Sequence, residues 1–449
     1  MSASFLSRLA RAGYGGGADE ASAVAAMGSL PGPSPSPSPR TALLEELRGR
    51  IERIEARAPA AAPRLPPMPL VAGGRAAPMA LERLEGAVRE RDGVVVVRHR
   101  VAPSERVGRF APADAMVAHP DLAAPLAGLP TPAPRELLHG LRVLDIETTG
   151  LAGGTGTLAF LVGVAQFEAD GTLLVEQLVL GAPAEEERLL ARLGDTLEGA
   201  TLLVTFNGRS FDAPLLRTRC VLRRRAPGPL ATAPHLDLLG ISRRLWRGRG
   251  CDCRLQTLER AVLGSRRIDD FPGSLAPAAY TEFLRGGDAS VLAPIIEHNR
   301  LDLVGTAALL AAALRTLEDP LNWAEDPGEL LAVGEHRLSL GEVDAALPLL
   351  ERALEFSSAD ETRRRAMTQL ARVYRRAGRV DAARAIWDRY RREFPRENLG
   401  YEELAKLLEH RTRDPHAALA IAASAPHVAA DSLSRRIARL ERKTRQSLL

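Results

Sequence analysis

The sequence predicts a mixed α/β domain over residues 141–316, followed by an all-α domain over 325–449. Three observations carry this. Between 141 and 314, apolar runs of strand length alternate with segments of helical spacing. A hexapeptide, Gly341-Glu342-Val343-Asp344-Ala345-Ala346, returns as Gly378-Arg379-Val380-Asp381-Ala382-Ala383 in a stretch without strand signals. Finally, 449 residues at 45% hydrophobic exceed one ordinary core and can fill two or three.

In chain order, residues 1–67 are expected to be largely disordered. Residues 18–39 are mostly Gly, Ala, Ser and Pro, which cannot bury a core, and a Pro-rich stretch at 59–67 follows one short charged helix over 41–58. Residues 68–140 form an N-terminal extension. In it, Asp92-Gly93 followed by Val94, Val95, Val96 and Val97 is a hairpin signal that would add strands to the main domain. From 141 the order is strand (141–146), strand (158–167), strand (173–180), helix (185–197) and strand (202–206). Asp170-Gly171 turns the second strand into the third, and Leu189, Leu190, Leu193 and Leu197 give the helix its apolar face. Helices over 211–225 and 237–247 follow, then a long helix over about 290–314. The pattern alone leaves several α/β folds open.

Beyond Pro320 each repeat reads as helix, glycine turn, helix, with alanines where the pair must approach, and a weaker third copy carries Ala417-Ala418. With Ala371, Tyr374, Gly378, Ala383 and Pro395 at the expected positions, the second copy resembles a tetratricopeptide repeat. The first copy is spaced about three residues beyond the usual period, so the domain is best described as tetratricopeptide-like.

Composition narrows the class further. With 4% aromatic residues the cores must be built from Leu, Val and Ala. No apolar run reaches the roughly 20 residues needed to cross a bilayer, and the first residues lack the apolar stretch of a signal peptide. A cytoplasmic protein without a membrane partner is the expectation. Cys220, Cys251 and Cys253 are a sparse, odd set that fits a reducing compartment and falls short of the four ligands of structural zinc. A formal charge of +4 permits nucleic acid as a partner without requiring it. Lys406 and Lys443 are the only lysines, so the positive charge is arginine.

Three segments carry candidate chemistry. In Leu144-Asp145-Ile146-Glu147-Thr148-Thr149-Gly150 a strand alternates its faces, placing Asp145 and Glu147 on one side at its end. Two carboxylates there repel unless a cation lies between them, so the pair is either a metal site or a solvated strand end. In Phe206-Asn207-Gly208-Arg209-Ser210-Phe211-Asp212 a strand ends and a helix begins, with Asp212 in its first turn, where a carboxylate also suits the helix dipole. In Glu297-His298-Asn299-Arg300-Leu301-Asp302 the spacing of four sets His298 and Asp302 on one helix face, the spacing of an ordinary surface pair as well.

Together these segments resemble the DEDD exonuclease superfamily of ribonuclease-H-like fold. More closely, residues 141–314 resemble the YprB-type ribonuclease-H-like family, supported by Ser242-Arg243-Arg244-Leu245-Trp246, Phe271-Pro272-Gly273, Tyr280, His298-Asn299 and Asp302. Members of that family also carry C-terminal tetratricopeptide repeats. The resemblance implies a divalent-metal-dependent nuclease, a 3′–5′ exonuclease on DNA or RNA ends, using two magnesium or manganese ions. Asp145, Glu147, Asp212 and Asp302 would hold the metals and His298 would act on the attacking water. The superfamily's histidine type sets His five residues before the last Asp, whereas here the spacing is four, a rotation of about 100° on a helix.

Expected substrate contacts are the backbone of Thr148, Thr149 and Gly150, together with Asn207, Phe211, Arg243 and Arg244. Arg217, Arg219, Arg223, Arg224 and Arg225, then Arg247, Arg249 and Arg254, could add phosphate contacts or simply form a solvated face. Asp237 reads as a helix-start residue rather than a ligand. The repeats would recruit a protein partner. An alternative function is a nucleic-acid-binding adaptor that keeps the fold with little activity and acts through its repeats.

Overall fold

The computed structural model describes residues 78–150, 156–249, 252–286, 288–427 and 431–446. The expected disordered region, its short helix and the first ten residues of the extension lie outside the described residues. Seven strands form one sheet in the order β1-β2-β5-β4-β3-β6-β7. They are β1 (Ala87–Arg89), β2 (Val95–Val101), β3 (Leu141–Thr148), β4 (Ala159–Phe167), β5 (Leu173–Val179), β6 (Leu202–Thr205) and β7 (His235–Asp237). β3, β6 and β7 run parallel to one another and the remaining pairs are antiparallel. The hairpin expected in the extension is β1–β2, and β2 pairs with β5 to lengthen the main sheet.

Both hairpin turns use the same device. In Glu90–Val94 and in Glu168–Thr172 the Asp side chain accepts the backbone N–H two residues on, and the Gly takes positive φ, +87° at Gly93 and +85° at Gly171. An Asp-Gly pair supplies both requirements.

Around the sheet stand α1 (Glu186–Thr196), α2 (Asp212–Leu222), α3 (Leu238–Leu245), α4 (Ala276–Gly286) and the 26-residue α5 (Ala293–Glu318). Strand alternation sorts β3 between the two faces. Leu144 and Ile146 join Leu189, Leu193 and Tyr280 in one core, whereas Leu141 and Val143 join Leu303 and Ala307 of α5 in the other. That second core continues along α5 into the repeat helices, through Leu330, Leu350 and Met367.

Two elements differ from expectation. The segment read as a helix over 237–247 is preceded by β7, which is too short to show alternation, and α3 begins only at Leu238. α4 lies in a stretch for which the sequence pattern predicts no element, although Tyr280 on it is fully buried and stacks on Phe160 at 4.3 Å between centroids.

The repeat domain comprises α6 (Pro327–Ser339) with α7 (Val343–Phe356), α8 (Asp360–Arg376) with α9 (Val380–Glu393), α10 (Asn398–His410) with α11 (Pro415–Ala423), and α12 (Asp431–Gln446). Its periodicity has a physical origin. Two residues before α7, α9 and α11 the chain takes positive φ, +81° at Gly341, +73° at Gly378 and +55° at Arg413. Three residues into each of those helices a fully buried alanine, Ala346, Ala383 or Ala418, lets the helix pair close. Arg413 in place of a glycine explains why the third copy is faint in sequence.

Candidate active site

The row Leu141, Val143 that faces α5 continues along β3 as Asp145 and Glu147, which carries both carboxylates to the helix side of the sheet. A bulge between Glu147 and Thr148 ends the regular pairing with β4. Asp145 lies across from Gly163 of β4, and Gly163 lies across from Gln177 of β5. Over this row sits Asn299 of α5, fully buried. Its Nδ2 donates to Asp145 Oδ2 at 2.7 Å, and its Oδ1 accepts from Gln177 Nε2 at 2.8 Å. Gly163 is what permits the approach, because a Cβ there would lie 2.3 Å from Asn299 Oδ1 and 2.6 Å from Leu303 Cδ1. One oxygen of Asp145 is thereby fixed and its side chain oriented.

Asp212 enters from the β6–α2 turn. Asn207 takes φ of +67° and Gly208 lies so close beneath that a Cβ would meet Asp212 Oδ2 at 2.6 Å. Asp237 caps α3 as expected, accepting from Leu239 N, and its oxygens also accept from the backbone of Asn207 and Arg209, which pins this turn. α5 supplies the rest. His298 Nε2 lies 3.7 Å from Asp302 Oδ2 and 3.9 Å from Glu147 Oε1. His298 Nδ1 is 2.9 Å from Asp270 Oδ1, which fixes the ring with Nδ1–H donating to Asp270 and Nε2 turned to the carboxylates.

The electrostatics reflect this convergence. Burial, then the charges of Asp302, Asp212 and Glu147, push the Asp145 carboxyl well above its ordinary range. Burial lifts Glu147 to about 8, with Asp302, Asp212 and Asp270 adding to the shift against the opposing pull of His298. Burial, Asp237 and Asp302 lift Asp212 to about 7. Burial alone would lower His298, but Asp302, the bond to Asp270 and Glu147 outweigh it and raise the imidazole to about 9. Four carboxylates from three distant segments therefore feel one another and repel.

A set of four oxygen donors fits a hard divalent cation in chemical type. As they stand, no three His, Cys, Asp or Glu side chains among the described residues are arranged closely enough to hold an ion. Asp302 is engaged by Arg267, which sequence reasoning missed. This guanidinium, its side chain 8% exposed, donates to Asp302 Oδ1 at 2.5 Å, to Asp270 Oδ2 at 2.9 Å and in a fork to Glu259. Glu259 opens a π-helix, Glu259–Leu263, a local irregularity often found at functional sites. Gly305 of α5 makes room for it, since a Cβ there would lie 2.0 Å from Glu259 Oε1.

The expected substrate contacts fall into two groups. Asn207, Arg243 and Arg244 are exposed and line a cavity of ≈ 350 Å³ beside Asp237, and Phe211 is half-buried just before α2. The backbone N–H of Thr149 is bonded to Leu158 O and Thr148 lies within the β3–β4 ladder, whereas a Cβ at Gly150 would meet nothing within 4 Å among the described residues. Several arginines read as phosphate contacts are structural instead. Arg219 and Arg223 bind the buried Glu186, and Arg249 binds Glu329 and Glu325 at the start of the repeats. Cys220 is buried and Cys253 half-buried, both free, and Cys251 lies outside the described residues.

Residues 143–314 match the RNase_H superfamily model, and 337–407 match a tetratricopeptide repeat model. Over 315 residues, 68% of this chain and 75% of the relative, the sequence is 32% identical to "Uncharacterized protein YprB" of Bacillus subtilis (strain 168). The chain belongs to the YprB family. In this YprB-family chain the superfamily match spans β3 to α5, so it contains every one of Asp145, Glu147, Asp212, Asp270, His298 and Asp302. No helix among the described residues is long and apolar enough to cross a membrane.

Proposed function

We propose that this protein is a divalent-cation-dependent nuclease that hydrolyses phosphodiester bonds of DNA or RNA, working as a 3′–5′ exonuclease in the cytoplasm. The observation that carries the reading is the convergence of Asp145, Glu147, Asp212 and Asp302 around the His298–Asp270 pair. Magnesium or manganese bound there would acidify a water and stabilise charge on the attacking and leaving oxygens. Asp145, Glu147, Asp212 and Asp302 would hold such ions. Asn299 holds Asp145 in place, and Asp270 fixes the imidazole with Nε2 toward the carboxylates, where bound cations would offset the negative charge that keeps it protonated and free Nε2 to take the proton of the attacking water. Arg267 orients Asp302 and Asp270 together. The repeats would bring a protein partner to the nuclease.

A second reading, an adaptor that binds nucleic acid without cutting it, draws on the commitment of Asp302 to Arg267. Oligonucleotides labelled at an end or internally, incubated with magnesium or manganese, separate the two. Stepwise release of mononucleotides from 3′ ends is expected. Cuts at internal positions would make the enzyme an endonuclease, and no cleavage with either cation would leave the adaptor.

A further inference from the structure

Beyond the acidic pocket, the face along α3 carries a second feature. Two cavities, of ≈ 350 and ≈ 400 Å³, share Asn207, Leu239 and Arg243 and so form one groove. Arg209, Arg243, Arg244, Arg247 and Arg254 line it, and its acidic residue is Asp237. Asp237 is engaged by the backbone N–H groups of Asn207, Arg209 and Leu239 and Arg254 pairs with Asp252, which leaves the groove an excess of positive charge on Arg243, Arg244 and Arg247. Other arginines of this domain are committed to carboxylates, as Arg219, Arg249 and Arg267 are. Arg243, Arg244 and Arg247 are exposed and have no hydrogen bond or ion pair among the described residues. Arg243 and Arg244 in the last turn of α3 also favour the helix dipole, but Arg247 lies beyond that helix and the three together gather more positive charge than a helix end calls for. That excess suits a ligand bearing a row of negative charges.

Phe206, Leu239 and Ile241 add apolar surface beside the arginines. Cations next to apolar surface that includes the Phe206 ring suit the phosphates and bases of a strand. Cavities of this size lie low in the range of small-molecule pockets, about 300–1,000 Å³, a size that suits one nucleotide unit of a single strand. The groove begins at Asp237 and Asn207, the residues that pin the turn carrying Asp212. It therefore adjoins the turn that carries Asp212 of the acidic cluster.

We propose that this groove is the track for single-stranded nucleic acid, with Arg243 and Arg247 gripping consecutive phosphates of the strand that leads to the carboxylates. The placement rests on the nuclease reading above, but binding is measured apart from turnover.

The test is fluorescence anisotropy in EDTA with a single strand of about 12 nucleotides, within the range of known single-strand sites. DNA and RNA of one sequence are both run, beside the matching blunt DNA duplex. Arg243→Ala/Arg247→Ala should weaken single-strand binding at least about tenfold and reduce the salt slope by about 1.4, two phosphate contacts at roughly 0.7 each. Arg384→Ala, a loss of one exposed charge in the repeats, should change neither. A double variant with wild-type affinity and slope for both DNA and RNA overturns the groove, as does tighter binding of the duplex. Arginine-dependent binding by a protein that never cleaves would overturn the nuclease reading and leave the groove standing.

Discussion

Asp145→Asn is expected to lower nuclease turnover by at least about 10³-fold while raising the melting temperature of the cation-free protein. The loss follows from the central place of Asp145. Its carboxylate feels Glu147, Asp212 and Asp302 at once, and cation-based stabilisation of a phosphoryl transition state is worth several kcal/mol, at about 1.4 kcal/mol per tenfold. The gain follows from the same geometry. An amide in place of the carboxylate keeps the shape and can still accept from Asn299, but removes one of four mutually repelling charges. A rise of about 2–4 °C corresponds to roughly 1 kcal/mol in a domain of this size. Activity and thermal unfolding measured on one preparation check both. A variant that loses activity and stability together would mark Asp145 as a structural residue.

Arg267→Ala is the second large effect. The side chains of Arg267, Glu259 and Asp270 are all largely buried, and the guanidinium is the cation that Glu259, Asp270 and Asp302 share. Removing one member of a buried ion-pair set leaves uncompensated charge and costs about 3–5 kcal/mol. Glu259 already sits above its ordinary range through burial, with Arg267 pulling it back, so its carboxyl would take up a proton once the arginine is gone. Arg267→Lys keeps the charge but not the fork to Glu259 and should recover part of the loss. Chemical denaturation of the three proteins measures this. Equal stability of Arg267→Ala and wild type would show that the network is not what holds Asp302 and the π-helix together.

Much of the site was legible because its signals are local. Asp145 and Glu147 are two apart on an apolar strand, and His298 and Asp302 are four apart on a long helix, so backbone periodicity alone assigns each pair a common face. The framework followed for the same reason, from strand alternation and from the Gly–Ala spacing of the repeats. What stayed hidden depends on contacts between segments. Arg267 and Asp270 lie in an irregular stretch after the π-helix, and nothing near them in sequence announces Asp302, 35 residues on from Arg267, as a partner. Asn299 gains its role from Gly163 and Gln177, on two strands that meet it only in the fold. The reverse error has the same origin. Arg219 and Arg223 look like a basic patch in sequence, yet both are bound by Glu186, on another helix. A run of charge states its sign and not its partner.

The claim on which the enzymatic reading depends is that the acidic cluster is built for divalent cations. Thermal unfolding across pH, with and without manganese, tests it most directly. Glu147 sits at about 8 against an ordinary 4.5, and Asp212 at about 7 against 3.8. Between those limits the folded state binds more protons than the unfolded one, so the cation-free protein loses stability as pH rises from about 4 to about 8. His298, raised to about 9, continues the decline in the same direction. Manganese should abolish this fall and stabilise most at the alkaline end, where the carboxylates are free to bind it. A melting temperature indifferent to manganese at about pH 8, or shifted equally at about pH 5, would contradict the account.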